Sequence, residues 1–392
     1  MSVGGAGSDS RQVPGGTTAR AAVGGVEPEA GEPPSGSPGA AKPAGGRLPS
    51  EPSGAPSAEA TAEATRNRSA VGSLRGGGAQ KLLAFASLVA LMIGFSLASP
   101  NFFQTSNVIA ILQATSVNGI LAVAATLVII TGGIDLSVGT MMTFCSVIAG
   151  VVLTYAALPL PLGILAAIAV GALCGLTSGT FVAKLKIPPF IATLGMMLML
   201  KGLSLVISGT RPIYFNDTPG FTEISRGSLV GELFPALPVP NGVLILFVVA
   251  GGTAWILSRT ALGRYCFALG SNEEAVRLSG VNVDAWKMGI YALAGAIVGV
   301  GGLVIASRLN SAQPALGLGY ELEAIAAVVI GGTSLSGGRG TILGTLIGAL
   351  IMAVLANGLR ILSVAQEWQT VVTGAIIILA VYADMVRRRR AQ

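Results

Sequence analysis

The chain contains no histidine, and charged residues make up only 11% of its 392 positions. The lack of histidine excludes imidazole base catalysis, a Ser-His-Asp triad and the commonest metal ligand of proteins. The three cysteines, Cys145, Cys174 and Cys266, form no C-x-x-C pair and are interpreted as small apolar packing residues. Carboxylate pairs at a spacing typical of hydrolases are also missing. We therefore predict a protein that is not an enzyme and that uses no metal and no other cofactor.

Apolar residues dominate the chain, at 52% of the sequence. The apolar runs approach the ~20 residues that an α-helix needs to cross a bilayer. Backbone N–H and C=O groups in lipid must pair within their own segment, which helices achieve, so we predict an all-α integral membrane protein with about ten transmembrane helices. The predicted spans are 82–99, 107–131, 138–156, 160–182, 187–208, 241–258, 288–306, 322–335, 341–361 and 368–386, of which the eighth is the shortest.

The first 80 residues differ from the rest in being rich in Gly, Pro, Ala and Ser. Such a segment buries too little apolar surface to offset the entropy of ordering, so we predict a disordered cytoplasmic tail over 1–80. The first apolar run begins only at Leu82, which argues against a secretory signal. The transmembrane domain is predicted to follow over 81–392.

Basic residues are distributed unevenly between the predicted loops. Lys and Arg accumulate in the cytoplasmic loops of membrane proteins. When the tail is placed inside, most basic residues lie on the cytoplasmic side, which predicts cytoplasmic N and C termini. The formal charge of +6 is then explained by contacts with anionic membrane lipid, without nucleic acid. The basic residues left outside are Arg211, Arg226, Arg308 and Arg360.

Two glycine-rich motifs in the chain are similar to each other, GGIDLSVG from Gly132 and GGTSLSGG from Gly331. The second lacks the G-x-x-x-x-G-K-[ST] order of a phosphate-binding loop, so we do not expect the chain to hydrolyse ATP alone. The similarity indicates either duplicated halves or chance resemblance between simple sequences. The paired positions would be Gly132, Gly133, Leu136, Ser137 and Gly139 with Gly331, Gly332, Leu335, Ser336 and Gly338.

Asp135 and Lys201 are charged residues placed among apolar runs. An acid inside a membrane is a functional candidate, because its burial is costly unless it is paired or near water. Asp135 could instead cap the helix predicted to start near Leu136, and the adjacent Gly132, Gly133 and Ser137 favour that interpretation. Lys201 either lines a pathway or extends its amine to the outer surface.

The remaining acids lie in predicted loops or near span ends, whereas proton- or sodium-driven carriers usually carry acids within their spans. A neutral, hydroxyl-rich solute fits this distribution better. Side-chain amides and hydroxyls could exchange hydrogen bonds with such a solute, although the same groups could equally join helices. The candidates are Gln113, Thr115, Ser116, Asn118, Gln313 and Asn357.

A polar stretch, Arg259 to Trp286, interrupts the apolar pattern between the sixth and seventh predicted spans. Asn272 followed by Glu273 and Glu274 predicts a helix start, and Gly280 predicts its end. The segment is short and not rich in lysine, so it suits a groove on a partner protein better than a lipid surface.

These motifs resemble a known family, the permease subunits of ABC importers for monosaccharides of the ribose, xylose and arabinose type, within the superfamily of branched-chain amino acid and ribose permeases. The similar region covers roughly Leu82 to Asp384. The stretches that carry the resemblance are LVIITGGIDLSVGT (Leu127–Thr140), KLKIPPFIATLGMMLMLKGLSLVISGTRPI (Lys184–Ile213), ALGRYCFALGSNEEAVRLSGVNV (Ala261–Val283) and ELEAIAAVVIGGTSLSGGRGTILGTLIGAL (Glu321–Leu350).

The resemblance implies an ABC importer permease fold in the cytoplasmic membrane of a bacterium, and a monosaccharide as cargo, with ribose as the first candidate. Its implied partners are separate ATP-binding subunits, an extracytoplasmic sugar-binding protein and a second permease, either identical or different. A cytoplasmic coupling helix would contact the ATPase through Ala268, Leu269, Gly270, Asn272, Glu273, Glu274, Ala275, Leu278, Ser279 and Gly280. Signature positions in the matching stretches would be Gly132, Gly133, Asp135, Ser137 and Lys201, and Asn118 and Asn357 join them as pathway candidates because of their side-chain amides.

A secondary carrier or facilitator for a small neutral polar solute is the alternative. Uptake that follows a proton gradient without any ATPase would favour it.

Overall fold

The computed structural model describes residues 82–235 and 237–391, and the predicted disordered tail lies outside them. The described part is helical apart from loops and one short two-stranded sheet. The helices are α1 Leu82–Ala98, α2 Thr105–Ile130, α3 Val138–Gly150, α4 Leu160–Ala183, α5 Pro189–Ser208, α6 Leu229–Leu233, α7 Asn241–Arg259, α8 Ala261–Ser271, α9 Glu273–Leu278, α10 Val283–Leu309, α11 Tyr320–Ile330, α12 Ile342–Ile361 and α13 Gln366–Ala391.

Each predicted span coincides with a helix, which confirms the all-α membrane class. Among the described residues, seven helices are long and apolar enough to cross a bilayer, namely α2, α4, α5, α7, α10, α12 and α3 with its π-helical extension to Tyr155. The eighth predicted span, 322–335, differs most from the structure. Its helix α11 has 11 residues and ends at Ile330, because Gly331 and Gly332 turn the chain there.

Proline and threonine mark several helix starts. Pro159, Pro188 and Pro240 immediately precede α4, α5 and α7, where an extended backbone enters the first turn. The Thr341 hydroxyl accepts a hydrogen bond from the Gly344 N–H at the start of α12. These signals are local, and they explain why the sequence predicts the helix boundaries well.

Helix α2 forms the centre of the protein. It packs against α7, α10, α11 and α12, and every residue from Thr115 to Thr131 is buried. Within this core the hydroxyls of Thr126 and Thr345 lie 2.7 Å apart, a hydrogen bond that joins α2 to α12. A helix that is apolar on all sides is suited to such a central position.

Helices α4 and α10 make the most extensive helix contact, along a line of glycines. A Cβ atom on Gly295 would run into the backbone carbonyl of Gly171, and one on Gly175 would run into that of Tyr291. Small residues allow helices in membranes to approach this closely.

A small cap covers the end of the bundle where α5 and α10 end. Strand β1, Ile213–Tyr214, pairs antiparallel with β2, Ser311–Ala312. The rings of Phe215 and Phe221 stack with centroids 3.9 Å apart, and the Ser307 hydroxyl donates a 2.7 Å hydrogen bond to the Phe221 carbonyl.

The α4–α10 contact can be tested by the substitution Gly295→Ala. The new methyl group should lower the free energy of unfolding by about 1–3 kcal/mol, because the backbone of α4 leaves no space for it. The matched control is Gly289→Ala on the same helix, where nothing lies within 4 Å of the added Cβ. Thermal unfolding of the detergent-purified protein measures both, and equal midpoints for the two variants would contradict the prediction.

Candidate functional site

A cavity of about 540 Å³ lies between α2, α11, α12 and α13, near the end of α10. Its volume is within the range of about 300–1,000 Å³ that is usual for small-molecule sites. Polar side chains form much of the wall, including both asparagines singled out in the sequence. The polar lining residues are Asn118, Arg308, Tyr320, Glu323, Asn357, Arg360, Gln366, Gln369, Thr370 and Thr373.

Asn118 and Glu323 are bonded to each other in the wall of this cavity. The Asn118 Nδ2 donates a 2.7 Å hydrogen bond to Glu323 Oε2, which joins the middle of α2 to the first turns of α11. Asn118 is 7% exposed. The pair therefore presents an amide and a carboxylate at the inner part of the cavity.

Asn357 lies on α12 and is 8% exposed. Its Nδ2 donates a 2.9 Å hydrogen bond to Asn107 Oδ1 at the start of α2. Its own Oδ1 is buried and has no hydrogen-bond partner in the described part of the chain. Buried polar atoms of this kind are uncommon and are often satisfied by water or a ligand.

Two arginines line the same cavity from helix ends. Arg308 belongs to the last turn of α10, and Arg360 is the more exposed of the two, near the end of α12. Neither guanidinium lies within 4.0 Å of a carboxylate among the described residues, since the ion pairs found there all involve other side chains. Both positive charges are thus available at the cavity.

The sequence analysis identified Asn118 and Asn357 but not Glu323, Arg308 or Arg360. It assigned these three charges to loops or span ends, whereas they line a cavity. The sequence does show opposite charges at the ends of different apolar runs. It does not show which of these ends lie together in the fold, since even the bonded pair Asn118 and Glu323 is 205 positions apart.

The two glycine-rich motifs form matching turns directly after the last residues of α2 and α11, at the ends of these helices that point away from the cavity. The Gly132 N–H bonds to the Ile129 carbonyl and the Gly332 N–H to the Val329 carbonyl, each at 2.9 Å. Both glycines have positive φ, 82° and 95°, which favours residues without a Cβ. The turns therefore align Gly132 with Gly332, one residue away from the pairing that the sequence predicts.

Asp135 lies just before α3 and is 4% exposed. Its Oδ1 accepts hydrogen bonds from the Ser137 N–H at 2.8 Å and the Ser137 hydroxyl at 2.6 Å. The helix begins at Val138 with Ser137 as its N-cap, so Asp135 stabilises the turn before the helix and is not itself the cap. Asp135 does not line the cavity.

The two glycine motifs meet each other beside α8. The Gly338 N–H donates a 2.8 Å hydrogen bond to the carbonyl of Ile130, the last residue of α2. Gly270 of α8 packs against this bond so closely that a Cβ there would run into Ile130 O and Gly338 N. The end of α2, the loop after α11 and the end of α8 thus form one junction.

Helix α9 follows directly and confirms the predicted helix between Asn272 and Gly280. The Asn272 side chain caps α9 by accepting a 3.0 Å hydrogen bond from the Ala275 N–H, and Gly280 ends it with φ +81°. Leu278 is 84% exposed.

The predicted coupling residues divide into an exposed group and a packed group. Exposed are Asn272, Glu274, Ala275, Leu278, Ser279 and Gly280, whereas Leu269 is buried in the core and Ala268, Gly270 and Glu273 are half-buried.

Ion pairs attach α9 to the start of α10 and to the α4–α5 loop. Glu273 accepts hydrogen bonds from Lys287 at 2.5 Å and from Arg277 at 3.2 Å. Asp284 binds Arg277 at 3.4 Å and Lys186 at 2.7 Å. Partial burial pushes the pKa of Glu273 upward, but the bonds from Lys287 and Arg277 outweigh it and leave that pKa below its ordinary value.

Lys201 lies elsewhere. It is on α5, which packs against α3 and α4, and it does not line the cavity. The structure therefore divides the predicted pathway or signature positions into three places. Asn118 and Asn357 line the cavity, Gly132, Gly133, Asp135 and Ser137 lie at or near the glycine junction, and Lys201 is apart from both.

The comparisons with known proteins agree on one class. Residues 107–381 match the family model described as branched-chain amino acid transport system / permease component. The chain is 46% identical over 303 residues to the ribose import permease protein RbsC of Escherichia coli K12, covering 76% of this chain and 92% of that protein. No solved structure matches the chain.

Other relatives extend the comparison. The ribose import permease protein RbsC of Bacillus subtilis 168 is 42% identical over 78% of this chain and 92% of its own length. The xylose transport system permease protein XylH of Escherichia coli K12 is 34% identical over 80% of this chain and 93% of its own length. The family resemblance found in the sequence is confirmed, and the chain belongs to the family of branched-chain amino acid transport system permease components, as a multi-pass membrane transport subunit that is not an enzyme.

Proposed function

We propose that this chain is the permease subunit of an ATP-binding cassette importer that moves a monosaccharide, with ribose as the first candidate. The observation that supports it most is the junction at the end of α8, just before the exposed helix α9. There α8 contacts the end of α2 and the loop after α11, and both of these helices line a polar cavity. The names of the relatives, two of them ribose import permeases, support the choice of sugar.

The α9 segment is proposed as the docking surface for an ATP-binding subunit. Glu274, Ala275 and Leu278 are exposed, and Leu278 in particular has no covering side chain within the described residues. A short helix with an apolar residue flanked by charges suits a groove on a partner. The ion pairs of Glu273 with Lys287 and of Arg277 with Asp284 join the segment to the start of α10.

Movement of α9 would reach the cavity through α8. Because Gly270 contacts both Ile130 and Gly338, a shift of α8 displaces the end of α2 and the loop after α11 together. Asn118 lies about 18 Å along α2 from Ile130, at 1.5 Å per residue. Closure of an ATPase pair would therefore move α2 and α11 relative to the other helices that line the cavity, α12 and α13, and so change the contacts that the cavity offers, as alternating access requires.

The remaining parts of the proposal concern location and partners. Both chain termini and α9 are placed on the cytoplasmic side of a bacterial plasma membrane, and the β1–β2 cap and α6 on the outer side, in agreement with the bias of basic residues. An extracytoplasmic sugar-binding protein would deliver cargo to the outer side. A second permease, identical or different, would complete the membrane part, and lipid would surround both.

Docking can be tested by charge reversal on the exposed segment. Glu274→Lys and Leu278→Glu should reduce co-purification of the ATP-binding subunit and ATP-driven uptake of labelled ribose in vesicles by tenfold or more, a loss of about 1.4 kcal/mol. Glu232→Lys and Leu233→Glu, exposed on α6, are matched controls and should leave both measurements unchanged. Full uptake in vesicles that lack any ATP-binding subunit would refute the proposed function.

The orientation can be tested by cysteine labelling. In a variant without the native cysteines, Cys placed at Glu274 should resist a membrane-impermeant maleimide in intact cells and react after lysis. Cys placed at Glu232 should react in both. The reverse pattern would place α9 outside and contradict the proposal.

The anchoring of α9 predicts a pH dependence. Since the folded pKa of Glu273 is lowered, its ion pairs stabilise α9 at neutral pH and are lost as the pH falls through that lowered value. Glu273→Gln should therefore speed amide hydrogen exchange in α9 at neutral pH, and the difference from wild type should vanish well below the ordinary carboxylate pKa of about 4.3. Glu274→Gln is the control, and an effect of equal size there would contradict the anchoring role.

A further inference from the structure

We propose that Asn118, Glu323 and Asn357 form a subsite that binds the hydroxyl groups of a neutral polyhydroxylated solute inside a single permease chain. The inference rests on the proposed function and makes it more specific, because it assigns contacts with the cargo to named side chains. It also places these contacts within one protomer, between α2, α11 and α12, rather than only between two permeases.

The hydrogen-bonding capacity of these three residues is incompletely used. Glu323 accepts from Asn118 through Oε2, and among the described hydrogen bonds its Oε1 has no donor. Asn357 donates from Nδ2 to Asn107, while its Oδ1 is buried without a partner. Carboxylate and amide oxygens are acceptors that suit the O–H donors of a sugar ring. A buried acceptor without a partner is costly, and the residue that carries this one lines the cavity.

The order of charges from the interior to the mouth favours a neutral solute. Asn118 and Asn357 are the most buried polar lining residues on α2 and α12, and Glu323 is bonded to Asn118, whereas Arg308 is half-buried at the end of α10 and Arg360 is exposed. A carboxylate on the solute would have to approach the carboxylate of Glu323 in this inner part. A hydroxyl group meets no such repulsion, and it can both donate to Glu323 and accept from Asn118.

The Asn118–Glu323 bond also joins the two helices whose far ends meet beside α8. A solute hydroxyl that replaces one partner of this bond would loosen α2 from α11 at the cavity. Binding of cargo and movement of α8 are thereby coupled through the same pair of helices, so each should influence the other.

The experiment measures direct binding of sugars to the purified permease with its ATP-binding subunits, in the absence of the sugar-binding protein. Saturation-transfer NMR would compare ribose, 2-deoxyribose, glucose and gluconate on wild type, Glu323→Gln, Asn118→Leu and Asn357→Leu. We expect wild type to bind the neutral sugars and not gluconate, and the variants to bind about tenfold or more weakly, the effect of losing a hydrogen bond to a charged group. Glu367→Gln, exposed on α13 near the same end, is the matched control.

A purely structural role would give a different result. Loss of helix packing would weaken all sugars equally and lower the thermal midpoint, whereas a contact with the solute should shrink the preference for ribose over 2-deoxyribose, or for one sugar over another, in at least one variant. Unchanged binding and preference in all three variants, equal binding of gluconate by wild type, or uniform weakening with a lowered midpoint would each overturn the inference. The proposed function would stand in these cases if wild type still shows ATP-driven ribose uptake.

Discussion

The hydrogen bond from the Gly338 N–H to the carbonyl of Ile130 is the contact on which the rest of the arrangement depends. The Ile130 carbonyl lies at the end of the central helix α2, where no N–H group of the same helix can donate to it. The Gly338 N–H supplies the missing hydrogen bond. Because Gly270 has no side chain, α8 can lie directly against this bond. One small contact therefore joins the central helix, the loop after α11 and the segment that carries α9, and bulk at position 270 would separate all three.

The cavity and the junction are two ends of the same pair of helices. Asn118 lies in the middle of α2 and Glu323 in the first turn of α11, and a glycine turn follows the last residue of each helix. The core between them is apolar and tightly packed, so these helices move as stiff bodies more readily than they bend. In the proposed mechanism, this geometry lets a movement of α8 outside the bilayer change the shape of the polar cavity within it.

Apolar runs predicted most of the fold from the sequence, and local signals account for several helix ends in the structure. The cap Asn272 and the terminator Gly280 define α9, and prolines define the starts of α4, α5 and α7, because each acts on its own helix end. The length of α11 was predicted less well, since Leu335 continues the apolar run past the turn that Gly332 makes. The bond between Asn118 and Glu323 could not be predicted, because it depends on how distant helices pack. The sequence predicted Asn118 as a polar pathway residue but did not predict Glu323 as its hydrogen-bond partner.

The two glycine turns are alike, yet the stretches that follow them are not. Five residues separate Gly132 from the start of α3, and nine separate Gly332 from the start of α12. The longer arm contains Gly337 and Gly338, and it is this arm that reaches Ile130 and α8. A repeat that began as two equal copies would thus have been made unequal by a short insertion. The contact with α8 is therefore made by the arm of one glycine motif only, so in the proposed mechanism a movement of α8 acts on the two similar halves of the chain unequally.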